Sequence, residues 1–230
     1  MARSCSGGSQ ISLVRELRSH IPYSVFSVTL ALVLTGMLTS VFLLLDPLRT
    51  PAAAGRLFHC FHPPHMLLSA TATTAMFWRH ERNPWKSVLI GFVGSVAVCG
   101  VSDVLIPYLG GLLLGVDMHL HFCFLEHPLL VVPFVALGIF TGLVAAEEIP
   151  RVTFFSHSGH VLTSSMASIL YLVSFGLTDW ISSLGAVFPL VIVAVVVPCC
   201  TSDIVFPMLL VSRRAPDASA PVARPAPPAP

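Results

Sequence analysis

Six long apolar blocks constrain this chain more than any other feature. They run Val25–Leu45, Met66–Trp78, Val88–Leu114, Leu129–Ala146, Val161–Leu177 and Leu184–Val211. They lack the regular polar stripe that a surface helix turns toward water. A helix needs about 20 mostly apolar residues to cross a bilayer, and about 18 with few charges already make a candidate. Four blocks qualify alone. The second and fifth reach that length only if their polar starts, 58–65 and 154–160, enter the membrane too. Charged residues make up 10% of the chain, against about 25% in soluble domains. The expected fold is therefore all-α, a polytopic membrane helix bundle. Its six transmembrane helices are predicted near 21–45, 58–79, 86–109, 128–147, 154–178 and 182–211. The first block is longer than the apolar core of a cleavable signal peptide and is read as helix 1.

Lys and Arg set the orientation. With the N-terminus inside, ten of them face the cytoplasm, and only Arg49 and Arg56 face outward. Both termini are expected in the cytoplasm of a bacterial-type plasma (inner) membrane. Residues 1–20 form a cytoplasmic segment in which Ile11–His20 reads as a short amphipathic helix on the membrane surface. Residues 212–230 are a Pro/Ala-rich tail, expected to be disordered. The net charge of +1 points away from nucleic acid. The lipid bilayer is the expected partner, and a homo-oligomer is compatible with the sequence. The six cysteines show no disulfide-framework spacing, and most fall inside predicted spans.

The chain also repeats itself. Pro22-x12-Thr35-Gly36 recurs as Pro128-x12-Thr141-Gly142, and Asp46-Pro-Leu-Arg49 recurs loosely as Glu148-Ile-Pro-Arg151. His62-x2-His65-x3-Ser69 recurs as His157-x2-His160-x3-Ser164. Cys99-x2-Ser102-Asp103-x3-Pro107 recurs as Cys199-x2-Ser202-Asp203-x3-Pro207. The order is the same in both halves, 21–109 and 128–211. Three helices per half is an odd number, so the second half enters the membrane inverted. Inverted repeats are an architecture common among secondary transporters.

The repeated residues are those that could carry chemistry. His62, His65 and Ser69 share a helix face, as do His157, His160 and Ser164. Pro63 and Pro64 suit a first helical turn, so the second helix is expected to start at its histidines. Cys99, Asp103 and Pro107 share another face, and Cys199, Asp203 and Pro207 match them. A helical Pro cannot donate to the carbonyl four residues earlier, so Pro107 should free that of Asp103, and Pro207 that of Asp203. An intramembrane Asp is costly and by default points to function. Imidazole, thiolate and carboxylate together suit Zn, Fe, Co, Ni or Mn as cargo or ligand. Two metal stations follow. One holds His62, His65, Cys99 and Asp103 in the outer half, and the other holds His157, His160, Cys199 and Asp203 in the inner half. Ser69, Ser102, Ser164 and Ser202 are secondary candidates; Ser102 and Ser202 could alternatively hold a protonated Asp.

The outer loop, 110–127, adds Asp117, His119, His121, Cys123 and Glu126. Extended, the first four share a face; helical, His119, Cys123 and Glu126 do. Either could collect a metal, or the segment could simply rest on the membrane. Neither HExxH nor a Walker A lysine loop occurs. The expected function is a transporter or permease for a divalent transition-metal ion, with protons as a coupling ion. The rivals are a haem-binding membrane redox protein, a metal-dependent membrane enzyme acting on a lipid, and a structural protein with incidental polar residues.

Overall fold

A computed structural model describes residues 7–147, 153–202 and 206–211. Asp203, Glu148 and the Pro/Ala-rich tail lie outside the described residues. Those described are helical with turns and loops, and no strand occurs among them.

Helix α1 spans Gly7–Leu45. Residues 11–20 form its early turns and run on without a break into the apolar block. Asp46 ends it and opens a 3₁₀ turn, Pro47–Arg49, by accepting from the amides of Leu48 and Arg49 at 3.1 and 3.3 Å. Helix α2 follows, Thr50–His80. It begins eight residues before the predicted start, so Pro63 and Pro64 lie inside it and not in its first turn. The Asp46 cap and Pro51 near the helix start already supply an N-terminus. The two inner prolines deprive the carbonyls of His59 and Cys60 of their intrahelical donors.

Asn83 caps α3, Pro84–Leu113. This helix contains a π-helical turn at Val101–Leu105, where the amide of Ile106 bonds the carbonyl of Val101. The break expected from Pro107 thus takes the form of one wide turn. The carbonyl that gains a side-chain donor is that of Ser102, bonded by the Ser168 hydroxyl at 3.1 Å, and not the predicted Asp103 carbonyl. After the outer loop and one helical turn at Cys123–Glu126 come α4 (Pro128–Val144), α5 (Thr153–Ser174), α6 (Leu184–Cys200) and α7 (Phe206–Leu210). Residues 201–202 are again π-helical, and the Ser202 carbonyl accepts from Thr73 of α2 at 3.3 Å.

Helix α2 is central and packs most extensively on α4 and α5; α5 in turn packs on α1. Contact between α2 and α4 is close because Gly138 and Gly142 have no side chains. A Cβ on Gly142 would lie 2.7 Å from the Thr71 carbonyl, and Thr71 donates to the Gly138 carbonyl at 3.1 Å. This is the small-xxx-small packing that lets helix backbones touch.

The distribution of polarity is unusual. Ser24, Ser27, Thr35, Thr39, Ser69, Thr73, Ser95, Ser102 and Asp103 are buried, whereas Phe26, Met37, Leu44, Trp85, Leu113, Leu129 and Phe140 are exposed. Two helical stretches, Ile21–Leu45 and Pro84–Leu113, are long and apolar enough to cross a membrane.

Candidate metal centre

The centre is built around Asp103. The π-turn of α3 turns this carboxylate toward α2, where His62 and His65 stand one turn apart. Nδ1 of His62 lies 2.8 Å from Oδ2 and Nδ1 of His65 lies 2.6 Å from the same oxygen. On the other side, Ser102 and Ser164 donate to Oδ1 at 3.0 and 2.8 Å. An ionised carboxylate only accepts, so both imidazoles carry their proton on Nδ1. All five residues are sealed from solvent, with Asp103 and His65 at 0% exposure and His62 at 1%. A buried charge is tolerable only when it is paired and fully hydrogen-bonded, and four donors meet that need.

Fixing Nδ1 leaves the Nε2 lone pair of each histidine available. At His65 this atom faces two sulfurs, Cys99 Sγ and Cys199 Sγ, each at 3.7 Å. The His160 ring lies beside it, 4.7 Å between centroids. The donor atoms of His65, His160 and Cys199 fall within 4.8 Å of one another, as do those of His62, His65 and Asp103. Around tetrahedral zinc, ligand lengths of about 2.0–2.1 Å to nitrogen and about 2.3 Å to sulfur imply an N···S separation of roughly 3.6 Å. The observed spacing is close to that. A carboxylate that bonds the far nitrogen of a ligating histidine is a familiar outer support of metal sites. With an ion bound at the Nε2 side, Asp103 would orient His62 and His65 and its charge would offset the cation.

Among the described residues, parts of the two predicted stations meet at His65, while Asp203 of the second lies outside them. His160 and Cys199 of the second half join His65, Cys99 and Asp103 of the first. His157 Nε2 lies 3.3 Å from the Ser24 hydroxyl of α1. Ser69 and Ser202 approach each other at 3.3 Å beside Thr73, next to the cluster but not in it. A cavity of about 190 Å³ adjoins His62, walled by α2, α3 and Phe122–Leu125.

The outer loop is neither strand nor long helix. Tyr171 of α5 holds it by donating to the His119 carbonyl at 3.1 Å and accepting from the His121 amide at 3.1 Å. Residues 119 and 121 therefore keep fixed positions. The His119 ring stacks on Phe175, and Cys123 is buried against the cavity wall, so neither joins His121. Burial holds the His121 imidazole below its ordinary pKa, with the Glu126 carboxylate opposing the shift. Burial, aided by Glu126, pushes the Cys123 thiol up to about 11. The neighbours of His121 are instead His59 and His127. His59 escaped the sequence reading, although it sits three residues before His62 and extends the same helix face. At the α2–α3 turn, Arg82 pairs with Glu147 at 2.5 Å and Lys86 with Glu81 at 2.6 Å.

Compared with known proteins, the chain matches no family model, no curated protein and no solved structure.

Proposed function

We propose that this chain is a membrane transporter or permease for a divalent transition-metal ion, coupled to protons. The observation that carries the reading is the position of His65. One of its nitrogens is committed to a buried carboxylate, and the other faces a cysteine from each half of the chain. Imidazole with thiol selects borderline ions such as Zn(II) over Mg(II) or Ca(II). Thiols must lose their protons to ligate, so metal entry releases protons at the centre and couples the two movements.

Six spans arranged as two inverted three-helix repeats are the architecture we infer. Support comes from matched interactions across the halves. Ser168 of the second half bonds the Ser102 carbonyl of the first, and Thr73 of the first bonds the Ser202 carbonyl of the second. These serines and threonines occupy equivalent places after the two HxxH pairs. Likewise α2 packs on α4 as α5 packs on α1. The polar interior and apolar exterior fit a lipid surround. Rocking of one half against the other would then open the shared centre to each side in turn.

Proteoliposomes holding a Zn(II)-sensitive dye test this directly. The wild type should load zinc along its gradient, and the Asp103→Asn/Asp203→Asn variant should not. Undiminished flux in that variant, or no flux in the wild type, rejects the proposal.

A further inference from the structure

A second histidine cluster lies outside the buried centre. His59 comes from α2, one turn before His62. His121 comes from the loop pinned by Tyr171, and His127 stands just before α4. Their candidate donor atoms fall within 4.8 Å of one another, and His59 Nε2 lies 3.3 Å from His121 Nε2.

The protons at these rings follow from their other contacts. Nδ1 of His59 is 2.7 Å from the Gly55 carbonyl, which can only accept. Nδ1 of His121 is 2.8 Å from a Glu126 carboxylate oxygen, which when ionised also only accepts. Each neutral imidazole has one N–H, and both have used it. Two lone pairs therefore face each other at 3.3 Å, an arrangement that repels unless a cation lies between them. The separation is the edge of a tetrahedron of nitrogens about 2.0–2.1 Å from a central zinc, roughly 3.3–3.4 Å. The outer partners are also those that metal-ligating histidines use, a backbone carbonyl and a carboxylate.

We propose that His59, His121 and His127 form a three-histidine site for Zn(II) or a similar divalent cation at the outer end of α2, with Glu126 orienting His121. Three protein ligands leave a fourth position for water, the pattern of an open site. His127 is exposed and His59 half-buried, so the ion reaches the site from solvent. The site stands on its own geometry and does not depend on transport through the buried centre. The notable competitor for the space between the two nitrogens is a proton, which would make one ring an imidazolium.

The test is Zn(II) titration of the purified full chain by calorimetry, with metal content counted after desalting. The wild type should hold an equivalent that the Cys99→Ser/Cys199→Ser variant retains and the His59→Ala/His121→Ala variant loses. Because the double change could disturb packing, His127→Ala, at an exposed position, is the second variant; it should weaken that equivalent by at least about 10-fold. Glu126→Ala should weaken it by about 10–100-fold, the usual effect of removing an outer support. Unchanged zinc binding in His127→Ala and in the double variant overturns the site, as does a wild type that binds no zinc. An equivalent lost only with the cysteines also overturns it while leaving the transport proposal standing. The reverse result supports the outer site and counts against the buried one.

Discussion

Replacing Asp103 by Asn separates the two roles of this carboxylate. Asn has the same shape, and one orientation keeps all four contacts. Its Oδ1 would accept from His62 and His65, while its Nδ2 would face Ser102 and Ser164, whose hydroxyls can rotate to accept. What disappears is the charge. Hydrogen bonds to a charged group contribute about 1.5–3 kcal/mol each and neutral ones about 0.5–1.5. The four contacts together therefore weaken by roughly 4–6 kcal/mol. The cost of burying the charge, several kcal/mol for an ion, disappears with them and offsets that loss. The expected result is a melting temperature within a few degrees of wild type and zinc affinity at the buried centre lower by about 10–100-fold. Asp103→Ala should behave differently. Ser102 keeps an acceptor in the Cys99 carbonyl at 3.2 Å, but the two imidazole N–H groups and the Ser164 hydroxyl lose theirs. Each unsatisfied buried donor costs about 1–3 kcal/mol, so with three of them the alanine variant should lose roughly 3–9 kcal/mol. Thermal unfolding in detergent gives the stability arm and competition with a chelator of known affinity gives the binding arm. An Asn variant with wild-type affinity at the buried centre would refute the role assigned to the carboxylate.

Two further predictions concern packing and the outer loop. Gly138→Leu should force α2 and α4 apart, since even a Cβ at Gly138 would meet the Ala70 side chain at 2.9 Å; the expected loss is several kcal/mol in a denaturation assay, and a wild-type midpoint would contradict the close helix contact. Cys123, with its thiol pKa raised to about 11, should be only about 0.1% thiolate at pH 8, so iodoacetamide should label exposed Cys60 long before it. Because the folded pKa lies above the unfolded one, this thiol favours folding at lower pH, and its contribution fades as pH rises from near 9 toward 11. Mass spectrometry showing equal labelling of the two cysteines at pH 8 would contradict the burial of Cys123.

Apolar blocks were enough to find the helices, because a helix of this composition has few other ways to satisfy its backbone. The start of α2 was harder. Pro63 and Pro64 look like an opening turn, and only the Asp46 cap and Pro51 together reveal the earlier one. The pairing of Asp103 with His62 and His65 was legible as two matching faces, since helical spacing alone aligns each set. That both faces also receive His160 and Cys199 was not legible, because it depends on how α5 and α6 approach α2. The outer loop was the least legible segment. Its position is set by Tyr171, fifty residues away from His121, and local spacing could not indicate that His59 and His127 would replace His119 and Cys123 as neighbours.

The bonds between Ser168 and the Ser102 carbonyl and between Ser164 and Asp103 also bear on biosynthesis. When α3 leaves the ribosome, the carboxylate has His62, His65 and Ser102, but neither Ser164 nor the donor for the open π-turn carbonyl yet exists. A nascent chain stopped there would carry a partly dressed charge, a state expensive in lipid. On the proposed membrane reading, the first three helices should therefore stay sheltered at the insertion machinery until α5 docks, and co-translational assembly would be completed by α6 with Cys199. A fragment ending after α3 should be degraded when made alone and rescued when the remainder is supplied in trans.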